Sequence, residues 1–283
     1  MSLDPETLRG LSLPLVEQTY TERDVILHAL SVGFGPDETD ARELDFVYEK
    51  ELAVAPSFAL TVCHRSIATL ELGIDYRKVV HASQALALHA PLPAQGTLMC
   101  SSRVTGVWDL GEHKGALLEI ERRLHEKRSD RLVATTRMGA LCRGDGGFGG
   151  EPPPPRKSMP NSAAPDQVFR WQSSPGQAAL YRLQGDTNPL HIDPERARLA
   201  GFERPILHGL ATFGATVRAI LAVVLGYAAT RLEVIEGRFT APFFPGETLQ
   251  VEIWRNGPAL QFQARAVERD VLVIRDGMAC IAE

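Results

Sequence analysis

Three side chains that could do acid–base chemistry lie close together in the second half of the chain: Asp186, Asn188 and His191. Gly185 and Pro189 flank and interrupt this segment, so we expect a sharply turned loop that aims the three side chains at one point. A carboxylate and an imidazole can share one water molecule, since one removes a proton while the other orders the water or returns a proton. The segment therefore predicts an acid–base site, in which Asn188 holds the water or Asp186 in place.

A second segment, residues 205–209, comes at the expected start of a long buried helix over residues 207–225. Unpaired N–H groups at a helix start stabilise developing negative charge. Gly209 has no side chain to keep a ligand carbonyl away from its N–H, whereas His208 could either touch the site or make a structural hydrogen bond. Together the two segments indicate the addition of water to a double bond that is conjugated to a carbonyl group.

The elements that position these segments follow the same order in both halves. The first half is predicted to hold a helix that opens at Thr21 with Asp24 as its capping-box partner and ends at Gly33, and a second helix over residues 55–63. Its predicted strands are residues 79–89, 97–108, 115–124 and 132–142. The second half is predicted to hold helices over residues 177–183 and 207–225, and strands over residues 231–239, 248–255, 260–268 and 271–281. An antiparallel sheet that wraps a central helix, present twice, gives an α+β fold of the double hotdog type.

A stretch rich in glycine and proline separates the two halves. We therefore divide the chain into an N-terminal hotdog over residues 1–142, a linker over residues 143–166 and a C-terminal hotdog over residues 167–283. Only the second hotdog carries the cluster of Asp186 and His191, so one active site per chain is expected and the first hotdog is predicted to be non-catalytic.

The overall composition excludes several classes of protein. The net charge of −5 provides no general field for nucleic acid or for an anionic membrane, and no stretch is long and apolar enough for a membrane helix. The four cysteines are spread along the chain without paired spacing, which indicates reduced thiols rather than a disulfide framework or zinc site. No signal-peptide pattern opens the sequence, so a cytoplasmic protein is predicted.

The catalytic segment resembles the signature of the type 2 enoyl-CoA hydratases, the MaoC-like family. The residues that carry this resemblance are Tyr181, the run Gly185-Asp186-Thr187-Asn188-Pro189-Leu190-His191, Ala197, Gly201-Phe202 and residues 205–209. The first half, with Tyr20-Thr21 and Phe46-Val47-Tyr48-Glu49, resembles the N-terminal half of two-hotdog members. Gln184 departs from the pattern, which usually has a small residue there, beside the expected pocket wall.

The resemblance implies an (R)-specific hydratase that adds water to a trans-2-enoyl-CoA and gives a (3R)-3-hydroxyacyl-CoA, reversibly, as in fatty acid metabolism. Asp186 and His191 would act on the water, Asn188 would support them, and the Gly209 N–H would face the thioester oxygen. Gly185, Pro189 and His208 are the expected substrate-binding residues. The CoA thioester is the substrate, no metal or redox cofactor is implied, and a homodimer is expected.

Three other functions stay open from the sequence. The first is a dehydratase that uses the same residues on a branched, dicarboxylic or steroid side-chain acyl-CoA. The second is a thioesterase, which would need a carboxylate on the long helix, and residues 207–225 contain neither Asp nor Glu. The third is a non-catalytic acyl-CoA-binding subunit, which the intact loop disfavours. A metal site of His191 with Asp193 and His208 is disfavoured because the usual ligand spacing is absent.

Overall fold

The fold is described from a computed structural model that covers residues 4–35, 40–70, 72–155 and 164–282. The part of the predicted linker over residues 156–163 lies outside these ranges. Within the described residues, no helix has the length and apolar character that crossing a membrane requires.

The first half consists of two short helices and five strands. These are α1 (Pro5–Leu8), β1 (Ser12–Tyr20), α2 (Glu22–Ser31), β2 (Val79–Leu88), β3 (Gly96–Asp109), β4 (Ala116–Glu126) and β5 (Leu132–Cys142). Single 3-10 turns between α2 and β2 occupy Ala41–Phe46, Pro56–Leu60, Ile67–Thr69 and Tyr76–Lys78. Thr21 and Asp24 form the predicted capping box at the start of α2, which confirms the sequence signal there.

The second half repeats the plan with three helices and five strands. These are β6 (Gln167–Gln172), α3 (Gln177–Tyr181), α4 (Pro194–Leu199), α5 (Gly209–Val223), β7 (Leu232–Phe239), β8 (Thr248–Asn256), β9 (Ala259–Ala266) and β10 (Val271–Ile281). Single 3-10 turns occupy Arg182–Gln184, Pro189–His191 and Ala229–Arg231. Asp193 caps α4 by accepting from the N–H groups of Glu195 and Arg196, as its place before a proline predicts.

All ten strands join in one antiparallel sheet with the order β1-β3-β4-β5-β2-β7-β10-β9-β8-β6. The halves meet where β2 pairs with β7, for example at Leu86 opposite Ile235, and both residues are fully buried. Each half therefore supplies five adjacent strands to the sheet. The two sets of strands are joined by the pairing of β2 with β7, which leaves no free edge between them. This arrangement confirms the predicted double hotdog fold.

The central helix of the second half is α5, and it is apolar on nearly every side. Phe213, Val217, Ile220 and Leu221 are fully buried, and each contributes about 1.5–3 kcal/mol by leaving water. The helix packs against β6, β7 and β8 and against the 3-10 turn Pro56–Leu60 of the first half. One hydrophobic core therefore spans both halves and fixes the start of α5.

The second helix predicted for the first half, over residues 55–63, is instead the 3-10 turn Pro56–Leu60. The prediction of a longer helix was wrong because other elements take the backbone groups that a helix would need. Arg122 on β4 donates to the carbonyl oxygens of Leu60 and Val62 at 3.2 and 2.6 Å. Gln18 on β1 accepts from the N–H of Cys63, whose φ of 56° stops any helix.

Candidate active site

The segment between α3 and α4 is a loop with two tight turns. Gly185 has a φ of 110°, a conformation that glycine adopts without strain, and it redirects the chain after Arg182–Gln184. Pro189 opens the next turn, Pro189–His191, where the side-chain oxygen of Asn188 accepts from the N–H of Leu190 at 3.1 Å. The glycine and the proline thus shape the loop as their residue types predict, while substrate contact by either stays a prediction.

Asn188 supports Asp186 through its backbone. Its N–H donates to Oδ1 of Asp186 at 3.2 Å, while its side chain caps the following turn. Asn188 was predicted to hold the water or Asp186 in place; its contact with Asp186 is made by the backbone N–H, its side chain caps the next turn, and a contact with the water stays a prediction. Asn188 itself is exposed to solvent, and Asp186 is half-buried.

The hydrogen bonds of His191 decide which of its nitrogens can react. Nδ1 lies 2.9 Å from the carbonyl oxygen of Ile206, and because a carbonyl only accepts, Nδ1 carries the proton. The lone pair on Nε2 is left free to accept a proton. Burial lowers the pKa of His191 below 6.5, although Ile206 and the charge of Asp186 oppose this shift. His191 is therefore a neutral base at neutral pH.

His208, directly before α5, contacts the ring of His191 and the backbone of Asp186. Its ring stacks on that of His191 with centroids 3.7 Å apart, and Nε2 donates to the backbone oxygen of Asp186 at 3.3 Å. Burial, followed by the neighbouring His191, lowers the pKa of His208 to about 3. A ring that is neutral at neutral pH orients the loop through these two contacts, whereas the expected contact with substrate stays a prediction.

The carboxyl group of Asp186 is ionised at neutral pH. Burial acts to raise its pKa, but the neighbouring imidazoles, first that of His208 and then that of His64, together with the Asn188 N–H, lower it below 3.8. The acceptors at the site therefore include the carboxylate of Asp186 and the free nitrogen of His191, and Nδ1 of His208 is buried beside them without a partner among the described residues.

These acceptors are close enough to hold one water between them. A carboxylate oxygen of Asp186 and one nitrogen each of His191 and His208 lie within 4.8 Å of one another. With hydrogen bonds of about 2.8 Å, a single water reaches two such atoms at an angle close to its own bond angle. This geometry suits a water, and the predicted absence of a metal stays a prediction.

The start of α5 follows directly on His208, the residue that contacts both Asp186 and His191. The side chain of His208 makes no capping hydrogen bond to this helix, so the N–H of Gly209 at its start is available to a ligand. A Cβ on Gly209 would lie at ordinary contact distances, 3.5 Å from the Phe239 ring and 3.7 Å from Nδ1 of His81. The protein therefore does not itself demand a glycine here, and a ligand that must approach the N–H is a reason for one.

Two histidines of the first half reach this region, which the sequence reasoning missed. His81 on β2 lies beside Gly209, and its ring contacts Phe239 with centroids 4.7 Å apart. Burial lowers the pKa of both His81 and His64, while the charge of Asp186 acts in the opposite direction on each. No motif surrounds either residue, so only the packing of one half on the other could have identified them.

A double hotdog that presents a carboxylate, a neutral imidazole and free helix N–H groups in one place defines the class of hotdog proteins with an acid–base site. Profiles of known families match both halves of the chain. Residues 18–144 match the "MFE-2 hydratase 2 N-terminal domain" and residues 150–276 match the "MaoC like domain". The chain belongs to this MaoC-like, hydratase 2 family.

Individual relatives cover nearly the whole chain. The "Enoyl-CoA hydratase ChsH3" of Mycobacterium tuberculosis is 37% identical, with 99% of each chain covered. The "Enoyl-CoA hydratase 2, peroxisomal" of Arabidopsis thaliana is 37% identical over 95% of this chain and 93% of the relative. The crystal structure of a "MaoC-like dehydratase" from Phytophthora capsici superposes with a TM-score of 0.85 at 29% identity, with 96% of each chain covered.

Proposed function

We propose that this protein is an (R)-specific enoyl-CoA hydratase, a hydro-lyase that interconverts a trans-2-enoyl-CoA and a (3R)-3-hydroxyacyl-CoA. One observation carries the proposal: ionised Asp186 and neutral His191 lie within reach of a single water, beside the uncapped start of α5. The names of the two relatives, both enoyl-CoA hydratases, support the same reaction.

Both protein groups accept hydrogen bonds, so the bound water donates one hydrogen to each and turns a lone pair toward the substrate. The water oxygen forms a bond to Cβ of the enoyl thioester while one of the water protons passes to one of the two acceptors, Asp186 or His191. That base then delivers the proton to Cα, and the thioester carbonyl is restored. Because one water and adjacent groups serve both steps, hydrogen and hydroxyl add to the same face.

Negative charge builds on the thioester oxygen while the Cα–H bond is still unformed. We assign the stabilisation of this charge to the N–H of Gly209 at the positive end of α5. The helix begins in a core that includes Ala211 and Phe213, both fully buried, so this donor is held in place before substrate arrives. Preorganised donors of this kind stabilise a transition state without reorganising during the reaction.

The chemistry moves only protons and forms one C–O bond, so we propose that it needs no metal or redox cofactor. The reaction is reversible, and the Phytophthora protein is named for the dehydration direction. A cytoplasmic location and a homodimer both stay predictions, and the Arabidopsis relative is named peroxisomal.

The direct test is a spectrophotometric hydration assay on crotonyl-CoA, longer and branched trans-2-enoyl-CoAs and a steroid side-chain thioester. Chiral analysis of the product accompanies it. We expect loss of the enoyl absorbance with formation of the (3R) product and no release of free CoA thiol. An (S) product or hydrolysis of the thioester would contradict the assignment. Binding without turnover across the panel would favour the acyl-CoA-binding subunit.

A further inference from the structure

Gln184 is the residue that departs from the family pattern, and the structure gives it partners in the other half of the molecule. It ends the turn Arg182–Gln184, two positions before Asp186. Its side-chain oxygen accepts from Nδ1 of His28 at 2.7 Å, and its Nε2 donates to Oγ of Ser31 at 2.6 Å. His28 and Ser31 both lie on α2 of the first half, and both are fully buried.

The surrounding hydrogen bonds allow one arrangement of protons. The Ser31 hydroxyl donates to the carbonyl oxygen of His28 at 2.7 Å, so its oxygen must accept from Gln184. The Gln184 oxygen therefore faces His28, whose Nδ1 carries the proton. Nε2 of His28 then accepts from the Ser57 hydroxyl at 2.8 Å. Each polar group has its partner, and burial lowers the pKa of His28 to about 4, which keeps the ring neutral.

We propose that this network, Ser57–His28–Gln184–Ser31, positions the catalytic loop. Gln184 is then a positioning residue for Asp186, and its hydrogen-bond partners belong to the first half. The network ties the second-half loop to α2 and to the turn Pro56–Leu60, immediately before the left-handed Gly185. Beyond Gly185 the chain has only Asp186 and Thr187 before the capped turn at Asn188. The loop is therefore fixed at both ends, and the carboxylate lies between the two fixed points.

A residue that only stabilises the fold should behave differently, when it is replaced, from one that positions Asp186. The molecule contains a glutamine of the first kind for comparison with Gln184. Gln177 on α3 also donates its Nε2 to α2, to the carbonyl oxygens of Leu30 and Ser31 at 3.2 and 2.7 Å. It links the same two halves at the same helix, but it lies outside the loop that carries Asp186. Both glutamines should contribute to stability, whereas only Gln184 should affect the rate of reaction.

The test rests on the proposed hydratase activity and compares the full-length wild type with Gln184→Met, Gln177→Met and Gln184→Glu. For each, kcat and KM for a trans-2-enoyl-CoA and the midpoint of thermal unfolding are measured. Both methionine variants should unfold at lower temperature. Gln184→Met alone should lose ~10–100-fold in kcat with little change in KM, since a carboxylate misplaced by about 1 Å costs that much. Gln184→Glu should recover most of kcat, because glutamate still accepts from His28 and the Ser31 hydroxyl can rotate to donate.

A wild-type kcat in Gln184→Met, or an equal loss in Gln177→Met, would overturn the inference. If Gln184→Met does not fold, Ser31→Ala removes one partner from outside the loop, and wild-type kcat in that variant would overturn it as well. A wild type without activity on any enoyl thioester would overturn the proposed function and this inference with it. If the wild type is active, the kcat values of the variants test the positioning role of Gln184 separately from the proposed function.

Discussion

At the scale of single residues, the roles of the two catalytic groups follow from what each neighbour can donate or accept. The carbonyl of Ile206 fixes the proton of His191 on Nδ1, and the N–H of Asn188 helps to keep Asp186 ionised. The sequence could identify Asp186 and His191 because their types and spacing are specific. It could not identify the tautomer, because Ile206 lies in a separate segment.

The protonation states predict how activity depends on pH. His191 must be neutral to accept a proton, and burial places its pKa below 6.5. The neutral form is present above that pKa and is lost as the pH falls through it, whereas Asp186, with a pKa below 3.8, stays ionised. A profile of kcat/KM between about pH 4 and 8 reports the free enzyme. It should be flat near neutrality and fall on the acid side with a midpoint below 6.5. A rate that rises toward acid pH would contradict a neutral imidazole base.

At the scale of elements, buried side chains of the first half hold the catalytic elements of the second. The clearest ion pair is that of Glu43, in the turn Ala41–Phe46, with Arg218 on α5 at 2.8 Å. Their side chains are 5% and 13% exposed, and Tyr227 also donates to Glu43 at 2.8 Å. The apolar periodicity of α5 predicted that the helix is buried. It did not predict that Arg218 on this helix pairs with Glu43 of the first half.

Replacing one partner of this pair should be costly, because Arg218 would remain as a largely buried charge without its counterion. We expect Glu43→Gln to lower the free energy of unfolding by about 3 kcal/mol, measured by urea denaturation. The matched control is Glu17→Gln, which removes the exposed pair with Lys127 at 2.6 Å and should cost less than about 1 kcal/mol. Equal losses in the two variants would show that the buried pair does not hold α5.

The position of each strand in the sheet explains which strands could be predicted from the sequence. Eight strands, β2 to β5 and β7 to β10, were predicted to within a few residues, and β5 and β10 were predicted at their observed bounds. The strands β1 and β6 were missed. Each is an outermost strand of the ten-stranded sheet, and each follows or precedes segments with mixed polarity, so alternation alone gave no clear signal.

At the scale of the whole molecule, the two halves form one sheet and share the larger hydrophobic core, and the site depends on both. The sequence predicted the double hotdog, the division into halves and the catalytic loop. It also assigned no chemistry to the first half, yet His28, His64 and His81 of that half surround the loop. Those contacts depend on how β2 pairs with β7 and how α2 packs on α3, which no local pattern encodes.

The central claim is that one water is activated between Asp186 and His191, and its most direct test is kcat of Asp186→Ala and His191→Ala beside the wild type. Circular dichroism and thermal unfolding establish that each variant is folded. We expect a loss of at least ~100-fold in turnover for each folded variant, the usual contribution of a general acid–base group. Turnover close to that of the wild type in either folded variant would contradict it.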